Sequence, residues 1–302
     1  MNVRVDIRQR LADQEIADVL GLVEAATEAD GVRPLNEHVM LHLRYGGDPQ
    51  ARSLLLYAGD ALAGYAHVDP TDEVEGPSAE LVVHPAHRRQ GHGTRLLRAV
   101  MDSAGGRPRL WAHGDHAGAA ALAAAFGFDR VRSLWQMRRP LAEPLPPATL
   151  PSGVILRTFV PGQDEEEWLK VNAAAFAHHP EQGAWTMDDL LRREQEPWFD
   201  PEGFFLAQRG DRLAGFHWTK VHGSSEHGHD PLGEVYVVGV DPSQQGTGLG
   251  KALTLAGLEH LRSRGLAQAM LYVDETNTAA IRLYEGLGFT RYDVDVMYAP
   301  PQ

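Results

Sequence analysis

The sequence predicts a mixed α/β fold in two tandem domains, and three observations support this. The chain has 302 residues, about twice the usual length of one domain. A strand, a proline and a glycine-rich turn follow one another in the same order once in each half. Between the halves, residues 140–151 hold five prolines, which neither a helix nor a central strand accepts. We therefore expect domains at residues 1–140 and 153–302, joined by an extended linker at residues 141–152.

The repeat is well defined in both halves. Residues 82–85 (VVHP) precede residues 88–93 (RRQGHG), and residues 239–242 (GVDP) precede residues 245–250 (QGTGLG). The two prolines lie 157 residues apart, whereas a later Gly-Phe pair recurs after 161 residues, a slip that one loop can absorb. Two copies of one structural unit explain this pattern.

In the second half, periodicity and turn residues predict short strands that alternate with helices. Gly265 ends one helix, and the last strand alternates apolar with polar residues. The predicted strands cover residues 154–159, 204–207, 213–221, 234–240, 270–273 and 289–298, and the predicted helices cover residues 165–176, 251–264 and 278–285.

Composition excludes several classes of function. A hydrophobic content of 43% with 23% charged residues is that of an ordinary soluble protein. The net charge of −13 repels phosphates, so we expect no nucleic-acid partner. The absence of cysteine excludes disulfides, zinc thiolates and a thiol nucleophile. No signal-peptide core or membrane-length apolar run is present. We expect a cytoplasmic monomer without a membrane partner.

Each glycine-rich turn is predicted to bind phosphate. A strand that ends at a Gly-x-Gly turn before a helix presents a group of backbone N–H donors at the positive helix end. Two known phosphate motifs do not fit. The P-loop pattern needs glycine where Gln245 stands and a hydroxyl where Ala252 stands. The dinucleotide fingerprint needs a third glycine, but Lys251 and Leu96 occupy that position in the two copies.

The pattern strand-Pro-x-x-[Gln/Arg]-x-x-Gly-x-Gly resembles the GNAT N-acetyltransferase superfamily in both halves. In the second half Asn277 and residues 283–289 (LYEGLGF) extend the resemblance, which covers nearly the whole chain. It implies that each domain is a mixed, mostly antiparallel sheet flanked by helices. It also implies acetyl-CoA as the acetyl donor, a small-molecule amine as the acceptor, and no metal.

In that superfamily the glycine turn holds the CoA pyrophosphate, and the preceding strand binds the pantetheine and orients the thioester carbonyl. The resemblance therefore implies acetyl-CoA contacts in both domains. They are Leu81, Val82, Val83, Arg89, Gln90, Gly91, His92, Gly93 and Thr94 in the first domain, and Val238, Gly239, Val240, Gln245, Gly246, Thr247, Gly248, Leu249, Gly250, Lys251, Asn277, Thr278, Ala279, Ala280, Ile281 and Arg282 in the second.

A narrower resemblance is visible in residues 179–182 (HPEQ), 215–222 (GFHWTKVH) and 233–242 (GEVYVVGVDP). With the tandem layout, these segments are similar to the GNAT acetyltransferases that complete mycothiol by acetylating the cysteinyl amine of cysteinyl-glucosaminyl-inositol. The resemblance implies acceptor contacts at Glu37, Glu181, Lys220, Glu234 and Tyr272.

Two side chains are the candidates for catalysis. Glu234 opens an otherwise apolar strand, on the same face as Tyr236 and Val238, and beside a thioester it could accept a proton from an ammonium. Without that context it would be a solvated strand end. Tyr284 is by default a core aromatic, but the resemblance implies that it donates to the departing CoA sulfur. Because tyrosine titrates near 10 and a thiol near 8.5, we expect a hydrogen bond rather than full proton transfer.

The first domain lacks both groups. Alignment of the repeats places Ala123 opposite Tyr284, His116 opposite Asn277 and Pro77 opposite Glu234. We therefore expect the first domain to bind acetyl-CoA or to shape the acceptor cleft without reacting.

The histidines form two groups along the chain, but neither has the spacing of a catalytic metal site. The groups are His84, His87 and His92, and His222, His227 and His229. We expect no metal, and we expect residues 222–230 to form a mobile polar loop near the acceptor.

Two alternatives stay open. A tandem GNAT enzyme could acetylate another amine, such as an aminoglycoside or a peptide N-terminus. A non-catalytic acyl-CoA sensor is the other alternative; Glu234 and Tyr284 argue against it for the second domain, and their absence favours it for the first.

Overall fold

The computed structural model describes residues 2–71, 76–177, 180–223 and 231–301. It divides into a first unit, residues 1–135 with residues 293–302, and a second unit, residues 136–292. This division differs from the expected boundaries in two ways. The last ten residues of the chain belong to the first unit, because they pair with one of its strands. The proline-rich stretch at 141–152 lies within the second unit.

The first unit contains six strands and four helices within its described residues, together with the end of the chain. The elements are β1 (Val3–Arg8), α1 (Asp13–Asp30), α2 (Glu37–Tyr45), β2 (Arg52–Ala58), β3 (Ala61–Asp69), β4 (Ser78–Val83), α3 (His92–Ser103), β5 (Arg109–Ala112), α4 (Ala117–Ala125) and β6 (Asp129–Pro140), whose last residues pass into the second unit.

The sheet of the first unit has the order β1-β2-β3-β4-β5. All neighbours are antiparallel except β4 and β5, which are parallel. Pairing of β4 with β5 covers Ser78 to Glu80, whereas its pairing with β3 continues to Val83. On the far side of β5, residues 296–298 near the end of the chain add an antiparallel strand.

The second unit repeats this order of elements, except that three helices rather than two lie between its first two strands. These are β7 (Val154–Thr158), α5 (Glu165–Ala175), α6 (Pro180–Gly183), α7 (Met187–Glu194), β8 (Phe204–Arg209), β9 (Arg212–His222), β10 (Leu232–Val240), α8 (Leu249–Ser263), β11 (Gln268–Asp274), α9 (Thr278–Gly286) and β12 (Thr290–Ala299), whose last residues belong to the first unit. Every strand and helix predicted for the second half is confirmed, with ends that shift by no more than two residues.

The sheet of the second unit has the order β7-β8-β9-β10-β11, antiparallel except for the parallel pair β10 and β11. One face carries an aromatic core built around Trp168, Phe204 and Trp218, which α5 and α7 cover. The other face packs against Leu249 and Leu253 of α8. The mixed, mostly antiparallel sheets flanked by helices confirm the predicted fold class. No helix within the described residues is long and apolar enough to cross a membrane.

Candidate active site

The glycine turn of the second unit leads from β10 into α8. Gly246 and Gly248 have φ angles of 76° and 85°, which L side chains rarely adopt. A Cβ atom added at either glycine would meet nothing within 4 Å, so the space in front of the turn is open. The turn and the first turn of α8 therefore offer backbone N–H donors to an incoming anion.

The first unit builds the same turn with a different residue. Gly91 has a φ of 81° and caps α3, as Gly248 caps α8. Arg89, with a φ of 61°, takes the conformation that Gly246 has in the second unit. Arg88 is paired with Asp30 through two contacts of 2.7 Å, and its Nε donates to the Val83 carbonyl. Arg88 thus ties this turn to α1, while the backbone keeps the two left-handed residues that the second turn has.

An open strand edge lies beside each glycine turn. Pairing between β10 and β11 covers Leu232 to Val235, but β10 continues to Val240 with β9 alone as its described partner. The expected contacts Val238, Gly239 and Val240 lie in this splayed part. In the first unit, Leu81, Val82 and Val83 occupy the corresponding end of β4. A free strand edge can form main-chain hydrogen bonds to an extended ligand, as the amides of pantetheine require.

A β-bulge interrupts β10 next to Glu234. The register with β9 shifts between Val235 and Val237, so that Tyr236 is the additional residue. The ring of Tyr236 packs against Trp198 and Trp218 on the face that α7 covers, whereas Val238 packs on the α8 face. The expectation that Val238 shares a face with Glu234 and Tyr236 is therefore wrong, because the bulge reverses the alternation beyond it.

Glu234 is 6% exposed, and its Oε2 lies 2.7 Å from Nε2 of His222. His222 is the last residue of β9 rather than part of a loop, and its side chain is 32% exposed. His227 and His229 lie outside the described residues. The pairing of these two residues was not predicted from the sequence. The register of the β9–β10 hairpin explains the contact. His222 pairs with Leu232, so His222 lies diagonally opposite Glu234 on the adjacent strand.

A cationic and aromatic surface adjoins Glu234. Lys220 is its register partner on β9, and Nζ of Lys220 lies 4.3 Å above the ring of Trp198 and 5.0 Å from that of Tyr236. Arg193 of α7 donates its Nε to the Tyr236 hydroxyl at 2.8 Å and stacks 3.8 Å above Trp185. Hydrogen bonding and cation–π contact hold these side chains in place beside the carboxylate.

Tyr284 is buried in α9, with 7% of its surface exposed. Burial raises the pKa of its hydroxyl to about 12, so the phenol keeps its proton at neutral pH. Its carbonyl accepts a hydrogen bond from the Phe289 amide at 3.0 Å. At the other end of α9, Asn277 caps the helix by accepting from the Ala280 amide at 3.1 Å. The first turn of α9, residues 278–282, thus begins at an ordered helix N-terminus.

Comparison with known proteins identifies the family. The sequence model of the acetyltransferase (GNAT) family matches residues 21–128 and again residues 168–289. A mycothiol acetyltransferase from Streptosporangium roseum is 65% identical and one from Thermobispora bispora is 66% identical, and in both comparisons 99% of each chain is covered. The chain belongs to the GNAT acetyltransferase family, among the mycothiol acetyltransferases. A solved tandem GNAT protein from the clavulanic acid biosynthesis pathway shares the fold at 21% identity, with a TM-score of 0.75 and 100% coverage of both chains.

Of the remaining expected acceptor contacts of this GNAT acetyltransferase, Tyr272 lies on the same sheet face as Glu234, and Glu37 belongs to the other unit. Tyr272 is on β11, two residues beyond the register partner of Glu234, and therefore on the same face of the sheet. It is 39% exposed, and its hydroxyl accepts a hydrogen bond from Gln136 at 2.8 Å. Glu37 is the first residue of α2 in the first unit. Glu181 lies in α6, and its side chain is outside the description.

The two GNAT units can be compared position by position through their backbone hydrogen bonds. The Phe128 amide donates to the Ala123 carbonyl at 3.0 Å, as Phe289 does to Tyr284, which confirms that Ala123 stands opposite Tyr284. The strand alignment needs a correction. Because β10 has a bulge and β4 has none, Ser78 rather than Pro77 stands opposite Glu234. Neither residue is a carboxylate.

The histidines near the first glycine turn lie next to one another. The rings of His84 and His87 are 5.6 Å apart and those of His87 and His92 6.2 Å. His84 accepts a hydrogen bond from the Ala86 amide through Nδ1. Within the described residues of this acetyltransferase, no group of three or more potential ligands could hold a metal ion.

Proposed function

We propose that this protein transfers the acetyl group of acetyl-CoA to the cysteinyl amine of cysteinyl-glucosaminyl-inositol, which yields mycothiol, and that the second unit performs the reaction. The names of relatives at 65% and 66% identity support the substrate. The observation that carries the assignment to the second unit is the buried carboxylate of Glu234 at the bulge where β10 leaves β11. We further infer a cytoplasmic monomer that binds neither nucleic acid nor membrane, which the net charge of −13 favours.

The chain's own residues would hold the donor along one continuous surface. The splayed end of β10, residues 238–240, offers main-chain hydrogen bonds to the pantetheine, and residues 245–251 offer N–H donors to the pyrophosphate. Residues 277–282 at the start of α9 contribute a second helix N-terminus. In the first unit, residues 81–83 and 89–94 would hold another acetyl-CoA that does not react.

The acceptor would approach along the face of β10 that carries Glu234. Lys220 and Tyr272 lie on the two neighbouring strands, and the aromatic rings held by Arg193 bound the same face. These side chains could hydrogen-bond the hydroxyl groups of a sugar and pack against its apolar face. We assign Glu37 and Glu181 to the acceptor site on the resemblance alone.

Glu234 would take a proton from the acceptor ammonium, so that the amine nitrogen can attack the thioester carbonyl. The α-amine of the acceptor ordinarily titrates near 8, so a modest base beside it suffices. As the tetrahedral intermediate collapses, negative charge gathers on the sulfur, and the Tyr284 hydroxyl would donate a hydrogen bond to it. Transfer of the whole proton from a phenol with a pKa of about 12 to an ordinary thiolate costs about 5 kcal/mol, which favours the hydrogen bond.

The test is a CoA-release assay with acetyl-CoA and a panel of amines. The panel contains cysteinyl-glucosaminyl-inositol, the same compound without its cysteinyl group, an aminoglycoside and a peptide N-terminus. We expect kcat/KM to be highest for the first compound and the product to carry its acetyl group on the cysteinyl nitrogen. A higher kcat/KM for the aminoglycoside or the peptide would contradict the proposed substrate.

A further inference from the structure

The proposed reaction leaves one close contact of the site without a role. His222 ends β9 and lies 2.7 Å from the buried carboxylate of Glu234, while a third of its own surface faces solvent. Lys220, the register partner of Glu234, lies over the rings of Trp198 and Tyr236. Among the described residues, His222 is the one within hydrogen-bond distance of the Glu234 carboxylate.

We propose that His222 is a positioning residue for Glu234: its Nε2–H donates to Oε2 of the carboxylate and leaves Oε1 free to take the proton of the acceptor amine. This inference rests on the proposed role of Glu234 as the base. The proton moves from the ammonium nitrogen to Oε1, and the nitrogen lone pair that is released forms the bond to the acetyl carbon. The His222 proton stays on Nε2 throughout this step.

Two features of the structure make the arrangement effective. Burial removes Glu234 from water, so a carboxylate without a donor would be poorly stabilised and free to rotate. A hydrogen bond from a side chain anchored on the neighbouring strand holds the Glu234 carboxylate in one rotamer and stabilises its negative charge.

Two variants of His222 separate the donor from the ring. His222→Phe keeps an aromatic ring and removes the N–H donor. We expect kcat/KM for the amine to fall about 10- to 100-fold, the usual effect of losing a hydrogen bond to a charged group. KM for acetyl-CoA and the melting temperature should change little. The acidic limb of the pH profile should move to higher pH, because the ionised carboxylate has lost a donor. His222→Gln, whose amide can replace Nε2–H, should restore most of the rate.

The matched control is His260→Phe, which removes a histidine that lies 3.7 Å from Asp200 outside this site. It should leave kcat/KM and the pH profile unchanged. If His222→Phe behaves like this control, or if His222→Gln is as slow as His222→Phe, the proposal is overturned.

A double-mutant cycle distinguishes this proposal from the proposed function. If His222 acts through Glu234, His222→Phe should have little further effect in a Glu234→Gln background. Equal effects of His222→Phe in both backgrounds would refute the positioning role and leave Glu234 as the base. A normal rate for Glu234→Gln would refute the base, and the role of His222 with it.

Discussion

The two units have the same backbone at the glycine turn and the adjoining strand but different side chains at the proposed catalytic positions. Both have a left-handed residue before the capping glycine and a strand that splays from its parallel neighbour. In the second unit a bulge follows Glu234, and Tyr284 lies in the last helix; Ser78 and Ala123 stand at those positions in the first. Binding a cofactor through the backbone tolerates side-chain change, whereas proton transfer does not.

The cores behind the two sites differ as well. By strand register, Trp218 of the second unit corresponds to His67 of the first, and Phe216 corresponds to Tyr65. The tryptophan packs in an aromatic core, whereas His67 and Tyr65 border a cavity of about 170 Å³. Burial lowers the pKa of His67 to about 3, so this ring is neutral. Where the second unit packs aromatic rings, the first unit therefore places a neutral imidazole and a phenol beside a cavity.

Among the substitutions that test this difference between the units, Glu234→Gln should lower kcat the most. The change keeps the shape of the side chain and removes its basicity, so kcat should fall about 10²- to 10⁴-fold. The deficit should shrink as pH rises, because more acceptor arrives as the free amine. Steady-state rates from pH 6 to pH 9 measure this. Ser78→Ala, at the matching position of the first unit, is the control and should be neutral; an unchanged rate for Glu234→Gln near neutral pH would eliminate it as the base.

Tyr284→Phe should have the next largest effect, about 10²- to 10³-fold on kcat, the usual loss of one transition-state donor. Acetyl-CoA affinity should survive, because the ring stays in place. The control is Tyr65→Phe, which removes a buried hydroxyl in the first unit that is hydrogen-bonded to Ser53 at 3.0 Å. It should lower the melting temperature without lowering kcat. The reverse pattern, a stability loss with normal kcat for Tyr284→Phe, would make Tyr284 a core residue.

The matched pair Gly91→Asp and Gly248→Asp compares the two glycine turns directly. Each change forces a side chain into a left-handed conformation and adds negative charge where phosphate would bind. We expect Gly248→Asp to raise KM for acetyl-CoA roughly tenfold or more and Gly91→Asp to weaken binding in the first unit while kcat is kept. A fall in kcat/KM for acetyl-CoA that is as large for Gly91→Asp as for Gly248→Asp would show that the two units have equal roles.

The smallest effect concerns a buried ion cluster found in the first unit. His113 lies 2.9 Å from Asp295 and 3.4 Å from Glu80, and these carboxylates raise its pKa to about 10 against the opposing effect of burial. Stabilisation from a raised pKa is complete below about 6.5 and is lost as pH rises through about 10. Thermal unfolding should therefore occur at lower temperature at pH 10 than at pH 7.

Asp295→Asn removes one of these charges and should cost about 1–3 kcal/mol of stability while leaving kcat unchanged. It should also make the melting temperature less dependent on pH between 7 and 10 than in the unchanged protein. If the melting temperature of Asp295→Asn depends on pH as steeply as that of the unchanged protein, Asp295 does not help to keep His113 protonated.

Local patterns in the sequence predicted six strands and three helices of the second half, both glycine turns, and the contrast between Tyr284 and Ala123, since each depends on a few consecutive residues. The short helices α6 and α7 were not predicted. Contacts between distant residues were not predicted. The bulge at Tyr236, which moved the counterpart of Glu234 to Ser78, depends on strand register. The pairing of the chain's last residues with β5 and the contact between His222 and Glu234 depend on the folded sheet. Alternation along one strand cannot reveal which residue of another strand lies beside it.

We propose that both units bind acetyl-CoA and that only the second transfers its acetyl group. A pulse–chase experiment tests it directly: the protein is saturated with labelled acetyl-CoA, and cysteinyl-glucosaminyl-inositol is then added with excess unlabelled acetyl-CoA. We expect two labelled molecules bound per chain, one labelled acetyl group transferred in the first turnover, and the other label released into the chase. Transfer of both labels, or only one molecule bound per chain, would contradict the claim.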